Sequence, residues 1–249
     1  MRYSLIVPYF KTPEITRLCL YSIFKFCRGE PEVIVVDNAP GSAESRMLKE
    51  FPKAVIVENP SAPWGAPGHW EALDLGLARA SHDLVGLIHS DTIFLKDGWD
   101  LECFSRVEKH DLAALGTFER EANPFRPLRQ RLRDAWRHWR HRRRPAAEEP
   151  GKLMTHFLLT RKSTLTRAKI AFSLDALVRP ANFAGTGQPV EVLSLVEISR
   201  LLWHTSNITS LLTGQMNDPK LAEIYRKKRA RFINDPRIRE LFGPVLPKE

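Results

Sequence analysis

The residues best suited to bind a ligand or take part in a reaction lie where two strand-like runs end. Asp91, with a small hydroxyl residue on either side, follows the apolar run 84–88, and Asp37 follows the run 32–36. Apolar runs of about five residues predict buried strands. In open α/β sheets, ligands bind beyond the carboxyl ends of the strands. The two carboxylates therefore predict one ligand site along a single edge of a sheet.

The elements that would position these carboxylates alternate between strand and helix patterns. The predicted strands are 4–7, 32–36, 54–57 and 84–89, and the predicted helices are 12–26, 43–51 and 69–80. This order predicts an α/β fold, with a doubly wound, mostly parallel sheet that carries helices on both faces. Further strand patterns occupy 112–117 and 153–159, and further helical patterns occupy 189–201 and 218–232.

The composition is that of an ordinary soluble globular protein, with 249 residues, 43% hydrophobic and 27% charged. Three cysteines give an odd number without the paired spacing of a zinc site, which favours a reducing compartment. No apolar stretch approaches the roughly 20 residues of a membrane-spanning helix. The N-terminus lacks the pattern of a signal peptide. We therefore expect a cytoplasmic protein.

Residues 126–144 carry most of the net charge of +9, because they contain nine arginines and one aspartate. Their apolar residues, including Trp136 and Trp139, fall on one face of a predicted helix. One interpretation is an interfacial helix on an anionic membrane surface. The other is a helix that packs this face on its own domain. Nucleic acid is not an expected partner, because a single basic helix without a recognisable binding fold is poor support for it.

Several motifs in the first hundred residues together resemble the family 2 glycosyltransferases, which have the GT-A fold. They are Ser-Leu-Ile-Val-Pro-Tyr-Phe at 4–10, Val-Ile-Val-Val-Asp-Asn at 33–38, the glycine loop at 65–68 and Ile-His-Ser-Asp-Thr at 88–92. The resemblance extends to Gly76, Ala80 and Asp83. It implies inverting transfer of a sugar from a nucleotide-diphosphate donor to a hydroxyl. The acceptor would be a glycan or a lipid-linked molecule, as in cell-surface polysaccharide or lipopolysaccharide synthesis.

The resemblance assigns a first group of residues to the donor. Those expected to face the sugar nucleotide are Pro8, Tyr9, Asp37, Asn59, Gly68 and Ser90. Asp37 would accept hydrogen bonds from the base or the ribose, or it is a turn aspartate that bonds its own backbone. Pro8 would touch the nucleotide, or it only ends the first strand. The loop that contains Gly68 would approach the donor closely, or it is only a flexible surface loop.

The resemblance also implies a divalent metal ion, Mn²⁺ or Mg²⁺, held by an Asp-X-Asp motif against the donor diphosphate. This chain departs from that motif, because His89 stands in place of the first aspartate while Asp91 keeps the second position. His89 contacts ribose in one interpretation and is a core histidine in the other. His204 is a candidate second metal ligand, since several GT-A enzymes return a histidine to the metal or diphosphate. The alternative is a structural histidine at a strand end.

The acceptor half of the chain is harder to interpret. Inverting transfer needs a general base for the acceptor hydroxyl, and the resemblance points to Glu191, with Glu197 and Asp175 as further candidates. Each of these acids is otherwise a solvated surface group. The basic residues 226–231 form the solvent-exposed face of a C-terminal helix, or they contact phosphate or lipid.

These patterns divide the chain into three parts. We expect a nucleotide-sugar-binding half at 1–110, an acceptor half at 111–215 with the basic insertion at about 126–150, and a C-terminal helical tail at 216–249. The expected location is the cytoplasm, at the inner face of the plasma membrane if the basic segment binds lipid. Two other functions stay open: a sugar-nucleotide-binding protein without turnover, and a basic module that binds nucleic acid or membrane.

Overall fold

A seven-stranded sheet forms the centre of this computed structural model, which describes residues 1–63, 65–118, 152–174, 178–204, 219–220, 223–224, 226–227, 230 and 234–245. In chain order the strands of the described residues are β1 (Arg2–Tyr9), β2 (Glu30–Asp37), β3 (Ala54–Glu58), β4 (Leu84–Ile88), β5 (Thr92–Phe94), β6 (Ala114–Gly116), β7 (Phe157–Arg161), β8 (Val190–Val192) and β9 (Leu202–His204). Seven of them form this sheet, and two, β5 and β9, lie outside it.

Most of the described helices lie in the connections between these strands, and the last helix follows the last strand. The helices are α1 (Pro13–Phe26), α2 (Ala66–Arg79), α3 (Trp99–Lys109), α4 (Lys162–Arg167), α5 (Leu195–Leu201) and α6 (Pro236–Phe242). Within the described residues, three 3-10 helices lie at Glu44–Glu50, Pro180–Thr186 and Gly243–Val245. In the described part of the chain, no helix is long and apolar enough to cross a membrane.

The sheet order is β3-β2-β1-β4-β7-β6-β8. β3, β2, β1 and β4 are parallel, β7 is antiparallel to both of its neighbours, and β8 is parallel to β6. β5 and β9 form a separate antiparallel pair. The predicted α/β fold with a mostly parallel sheet is therefore confirmed, and the carboxyl ends of β1 to β4 meet at one edge.

Two hydrophobic cores lie on opposite faces of the sheet, because alternate residues of a strand point to opposite sides. Leu5 and Val7 of β1 lie in the core that includes α1, α3, α5 and α6. Ile6, between them, lies in the core beneath α2 and α4. The prediction of helices on both faces is confirmed.

The helix predicted at 43–51 is wrong in type, since the segment forms a 3-10 helix at Glu44–Glu50. Phe51 follows this helix and precedes Pro52. The proline ring disfavours α-helical geometry in the residue before it, so the segment is too short to develop a regular α-helix.

The helix predicted at 189–201 is wrong in its first part. Val190 and Val192, which are β-branched, belong to β8 and pair with β6. The helix begins only after Ser194, whose hydroxyl accepts a hydrogen bond from the Glu197 backbone N–H at 3.1 Å. The Glu197 carboxylate accepts in return from the Ser194 backbone N–H at 2.8 Å. This capping box was present in the sequence as Ser-x-x-Glu.

Other predictions fall at shifted positions or outside the described residues. The strand predicted at 153–159 starts four residues later, as β7. The basic segment 126–144 and Asp175 lie outside the described residues. The helix predicted at 218–232 is described only in part, and its described residues are helical.

The contact between α2 and β1 depends on the absence of a side chain at Gly76. A Cβ at this position would lie 2.3 Å from Ile6 Cγ2, and the β-branched isoleucine has few ways to yield. We expect Gly76→Ala to lower the free energy of unfolding by about 1–3 kcal/mol, measured by urea denaturation. Gly185→Ala is the control, because a Cβ there meets no atom within 4 Å. Equal stability of the two variants would contradict this account of the contact.

Candidate functional site

A buried cluster of one carboxylate and several imidazoles lies just beyond the carboxyl end of β4. Asp91 is 4% exposed and His204 is 3% exposed. His204 Nε2 lies 3.2 Å from Asp91 Oδ1, and His89 Nδ1 lies 3.9 Å from the same oxygen. The structure thus brings together Asp91 and His204, the two residues that the resemblance implied as metal ligands, and adds His89.

The short antiparallel pair β5–β9 explains how His204 reaches this place. The Thr92 backbone N–H donates to the His89 carbonyl at 3.0 Å, which turns the chain sharply after β4. β5 then starts at Thr92, and Thr92 is directly opposite His204 in the pair. A residue more than a hundred positions later is therefore fixed beside Asp91 by backbone pairing.

Three further residues surround the cluster. Thr155 Oγ1 lies 2.9 Å from His89 Nε2 and 3.4 Å from His69 Nε2, so one hydroxyl joins two rings. The His156 ring stacks on the His204 ring, with centroids 4.0 Å apart and planes 2° from parallel. Within the described residues, neither ring nitrogen of His156 has a hydrogen-bond partner.

Burial and mutual contact determine the charge of these groups. Burial raises the pKa of the Asp91 carboxyl, but the neighbouring His204 and His89 rings lower it by a larger amount. The net result is a pKa of about 2. Burial lowers the pKa of His69 to about 4 and holds the pKa values of His89 and His156 well below their usual range. Asp91 is therefore ionised at neutral pH, while these three rings are neutral and keep a lone pair for a ligand.

The cluster fits a divalent metal ion. One ligand atom each from His89, Asp91 and His204 lies within 4.8 Å of the others. An ion with bonds of about 2.1 Å places adjacent ligand atoms about 3 Å apart and opposite ones about 4 Å apart. The separations of 3.2 and 3.9 Å lie in this range. An ionised carboxylate and imidazoles are suitable ligands for first-row metal ions such as Mn²⁺.

A second polar corner lies at the same edge of the sheet, two strands from β4. Tyr9, Asp37 and Glu58 are level with one another at the ends of β1, β2 and β3. Asp37 is 3% exposed and accepts a hydrogen bond from the Ala39 backbone N–H at 2.9 Å. A cleft of about 540 Å³ adjoins it. β1 lies between β2 and β4, so the strands that lead to this corner and to the Asp91 cluster are about 10 Å apart.

Tyr9 and Pro8 are buried residues of β1. The Tyr9 side chain belongs to the core on the α1 face, and burial raises the pKa of its hydroxyl, with the Asp37 charge adding to the effect. That hydroxyl has no hydrogen-bond partner within the described residues. β4 pairs with β1 only over Ser4–Ile6, so Pro8 lies beyond that ladder and its missing N–H costs no hydrogen bond to β4.

A chain of hydrogen bonds joins the ends of β2 and β3 to the start of α2. Asn59 Nδ2 donates to Asn38 Oδ1 at 3.0 Å, and Asn38 Nδ2 donates to the Gly68 carbonyl at 3.0 Å. A Cβ on Gly68 would lie 2.1 Å from the Pro63 carbonyl oxygen. Asn59 and Gly68 are thus parts of a tightly held turn at the predicted site edge. Ser90, the remaining donor candidate, is 5% exposed beside Asp91.

The structure does not bring Glu191 to the Asp91 cluster. Glu191 lies in β8, three strands from β4, and its carboxylate accepts a hydrogen bond from the Arg106 guanidinium of α3. Glu197 lies 3.7 Å from the same arginine and is engaged in the cap of α5. In the C-terminal basic run, Arg226 and Lys227 lie 3.4 Å from Glu223.

Sequence reasoning missed three residues of the site, namely His69, Thr155 and His156. His69 directly follows Gly68, so its position after the glycine loop was a usable signal. Thr155 and His156 precede β7, and no local motif marks them. They reach the cluster because β7 runs antiparallel to β4, with Phe157 opposite Ile88.

The order of the parallel strands and the Asp91 cluster beyond the end of β4 match the GT-A class of α/β fold. The family model described as glycosyl transferase family 2 matches residues 4–167, which is more than half of the chain. The chain therefore belongs to glycosyl transferase family 2, and the resemblance drawn from its motifs is confirmed.

Solved structures agree with this fold. The mannosyltransferase PcManGT from Pyrobaculum calidifontis, in complex with GDP-Man and Mn²⁺, matches with a TM-score of 0.56 at 17% identity, over 78% of this chain and 55% of that one. A fragment of S. aureus TarS matches with a TM-score of 0.53 at 15% identity, over 86% and 63%. The same fragment with UDP-GlcNAc gives 0.58 at 16%, over 95% and 68%.

The chain spans only about half of the mannosyltransferase and less than two thirds of the first TarS structure. No curated protein sequence matches it significantly. At these identities the solved structures establish the fold alone.

Proposed function

We propose that this protein is a metal-assisted glycosyltransferase. It would move a sugar from a nucleoside-diphosphate donor to a hydroxyl of a glycan or lipid-linked acceptor. The observation that carries this proposal is the contact between the buried Asp91 carboxylate and His204, 3.2 Å apart, at the carboxyl edge of the sheet. Membership of glycosyl transferase family 2 supports the reaction class. PcManGT holds GDP-Man and Mn²⁺, and TarS holds UDP-GlcNAc, which supports a sugar nucleotide as the donor.

The two polar corners of the site are the Asp91 cluster and the residues at the ends of β1 to β3. They suit the two ends of such a donor. Asp91 and His204 would hold the ion, Mn²⁺ or Mg²⁺, which when bound would neutralise charge on the departing diphosphate. Asp37, two strands from β4 and beside the cleft of about 540 Å³, would accept hydrogen bonds from the ribose or base. Pro8, Tyr9, Asn59, Gly68 and Ser90 border these corners and would shape the donor pocket.

The reaction we propose is a direct displacement at the anomeric carbon. The acceptor oxygen forms a bond to this carbon as the bond to the diphosphate oxygen breaks, and the nucleoside diphosphate leaves. The acceptor proton passes to a general base. Glu191 stays the predicted base, although it lies in β8, three strands from β4, and its carboxylate is paired with Arg106 of α3. Inversion follows from the family resemblance.

We further propose that residues 126–144 dock the protein on the inner face of the plasma membrane, where lipid-linked acceptors lie. The support is the concentration of nine arginines next to Trp136 and Trp139.

Replacing Asp91 tests the function directly. We expect Asp91→Asn to reduce Mn²⁺-dependent release of nucleoside diphosphate from GDP-Man or UDP-GlcNAc at least about 100-fold, because the ion loses its anionic ligand. Circular dichroism should show an intact fold. Asp97→Asn is the matched control, since Asp97 forms only an exposed ion pair with Arg28. Donor binding by the wild type with no turnover would favour the non-catalytic alternative.

The base assignment can be tested on Glu191. If Glu191 is the base, Glu191→Gln lowers turnover about 100-fold or more while the donor dissociation constant stays unchanged. Arg106→Gln serves as the comparison, because it breaks the same ion pair and keeps the carboxylate. Equal losses of stability in both variants, with turnover per folded molecule retained, would show that the pair is structural.

The membrane proposal predicts that deletion of residues 126–144 weakens binding to vesicles that contain phosphatidylglycerol. Vesicles of phosphatidylcholine alone should bind both proteins poorly, because the interaction needs anionic lipid. Cosedimentation measures both, and donor binding by the deleted protein checks that it folds. Equal cosedimentation of the two proteins with anionic vesicles would reject the anchor.

A further inference from the structure

His89 replaces an aspartate of the family motif, yet its ring stays at the cluster. Its side chain is only 26% exposed, and Nδ1 lies 3.9 Å from Asp91 Oδ1. The ring centroid is 5.6 Å from that of His204, with the planes at 69°. Two imidazoles at a steep angle beside one carboxylate oxygen are arranged as ligands that converge on a point, in contrast to the parallel stack of His156 on His204.

Thr155 orients the His89 ring toward Asp91. Its hydroxyl lies 2.9 Å from His89 Nε2, on the opposite side of the ring from Nδ1. When Nε2 carries the proton and donates to Thr155, the lone pair of the neutral ring is on Nδ1, next to Asp91. Metal-bound histidines commonly have such an outer partner, which fixes the tautomer and the ring orientation.

The backbone of His89 is also held firmly. Its carbonyl accepts hydrogen bonds from the Thr92 backbone N–H at 3.0 Å and from the Cys19 thiol at 3.6 Å. Cys19 is fully buried in α1. The ring and the main chain are thus both fixed before any ligand arrives, so binding costs little conformational entropy.

We infer that His89 is a third direct metal ligand, and that two imidazoles with one carboxylate make this site prefer a first-row transition ion over Mg²⁺. The inference rests on the proposed metal-assisted function. Imidazole nitrogen suits Mn²⁺, Co²⁺ and Zn²⁺, whereas Mg²⁺ favours oxygen ligands and gives up its water reluctantly. Exchanging an aspartate for a histidine therefore weakens the hold on Mg²⁺ more than on Co²⁺.

Metal binding without any donor tests this inference. Isothermal titration with Mg²⁺, Mn²⁺ and Co²⁺ should give wild-type dissociation constants at least about tenfold lower for Co²⁺ than for Mg²⁺. His89→Ala should weaken Co²⁺ binding at least about tenfold. His89→Asp should bind Mg²⁺ more tightly than the wild type and so lower the Co²⁺ preference. Pulsed electron paramagnetic resonance of bound Mn²⁺ should detect two imidazole nitrogens in the wild type and one in either His89 variant.

Two further variants separate ligation from structure. Thr155→Val should weaken Co²⁺ binding about tenfold, with rescue by Thr155→Ser, because only a hydroxyl orients the ring. His110→Ala, which removes an exposed histidine at the end of α3, should change nothing. Unchanged ion preference and nitrogen couplings in the His89 variants would overturn the inference even if transfer continues. If two imidazole nitrogens couple to the bound Mn²⁺ but no sugar transfer occurs, the inference about His89 stands and only the proposed function is contradicted.

Discussion

With only 4% of its surface exposed, the charged Asp91 carboxylate must be compensated inside the protein, because burying an unpaired charge costs several kcal/mol. The buried strand β4 ends just before this group, at the edge of the sheet, and the neighbouring side chains compensate its charge. His204 lies 3.2 Å away, His89 lies 3.9 Å away, and a pKa of about 2 follows for the carboxyl. A divalent ion would complete the compensation, since the His89 ring, which burial keeps neutral, contributes a lone pair but little charge.

The same requirement ties distant parts of the chain together. β9 brings His204 to Asp91 through pairing with β5, and β7 brings Thr155 and His156 through antiparallel pairing with β4. The later part of the chain thus supplies the cluster with His204, and with Thr155 and His156, which contact its rings. At the other corner, the Asn59–Asn38–Gly68 hydrogen bonds hold the ends of two strands to α2. His204 ends β9, and His89 and Asp91 lie in the short turn between β4 and β5, so paired strands flank the cluster on both sides.

Sequence patterns predicted what depends on local periodicity and missed what depends on pairing. The apolar runs of β1, β2 and β4, and the Thr-Pro start of α1, were sufficient to place Asp37 and Asp91 at one edge. β5, β8 and β9 are three residues each, too short for a period to appear. Thr155 and His156 become site residues only through the register of β7 with β4. The prediction of Glu191 as the general base rests on the position of such an acid along the chain in the family. Its pairing with Arg106 depends on how α3 packs on the sheet.

The exchange of an aspartate for His89 changes the charge of the proposed site by one unit. The charges of two carboxylates and a divalent ion sum to zero. A divalent ion bound by Asp91 and two neutral imidazoles has a net charge of one positive unit. At about 4 Å and an effective dielectric constant of about 20, a unit charge interacts with another by about 4 kcal/mol. A diphosphate is anionic and gains negative charge as the sugar departs, so in the proposed metal site this extra positive charge would stabilise the departing group more than the bound donor. If His89 is a metal ligand as inferred, the histidine would lower the affinity for hard ions and add electrostatic attraction for the departing diphosphate.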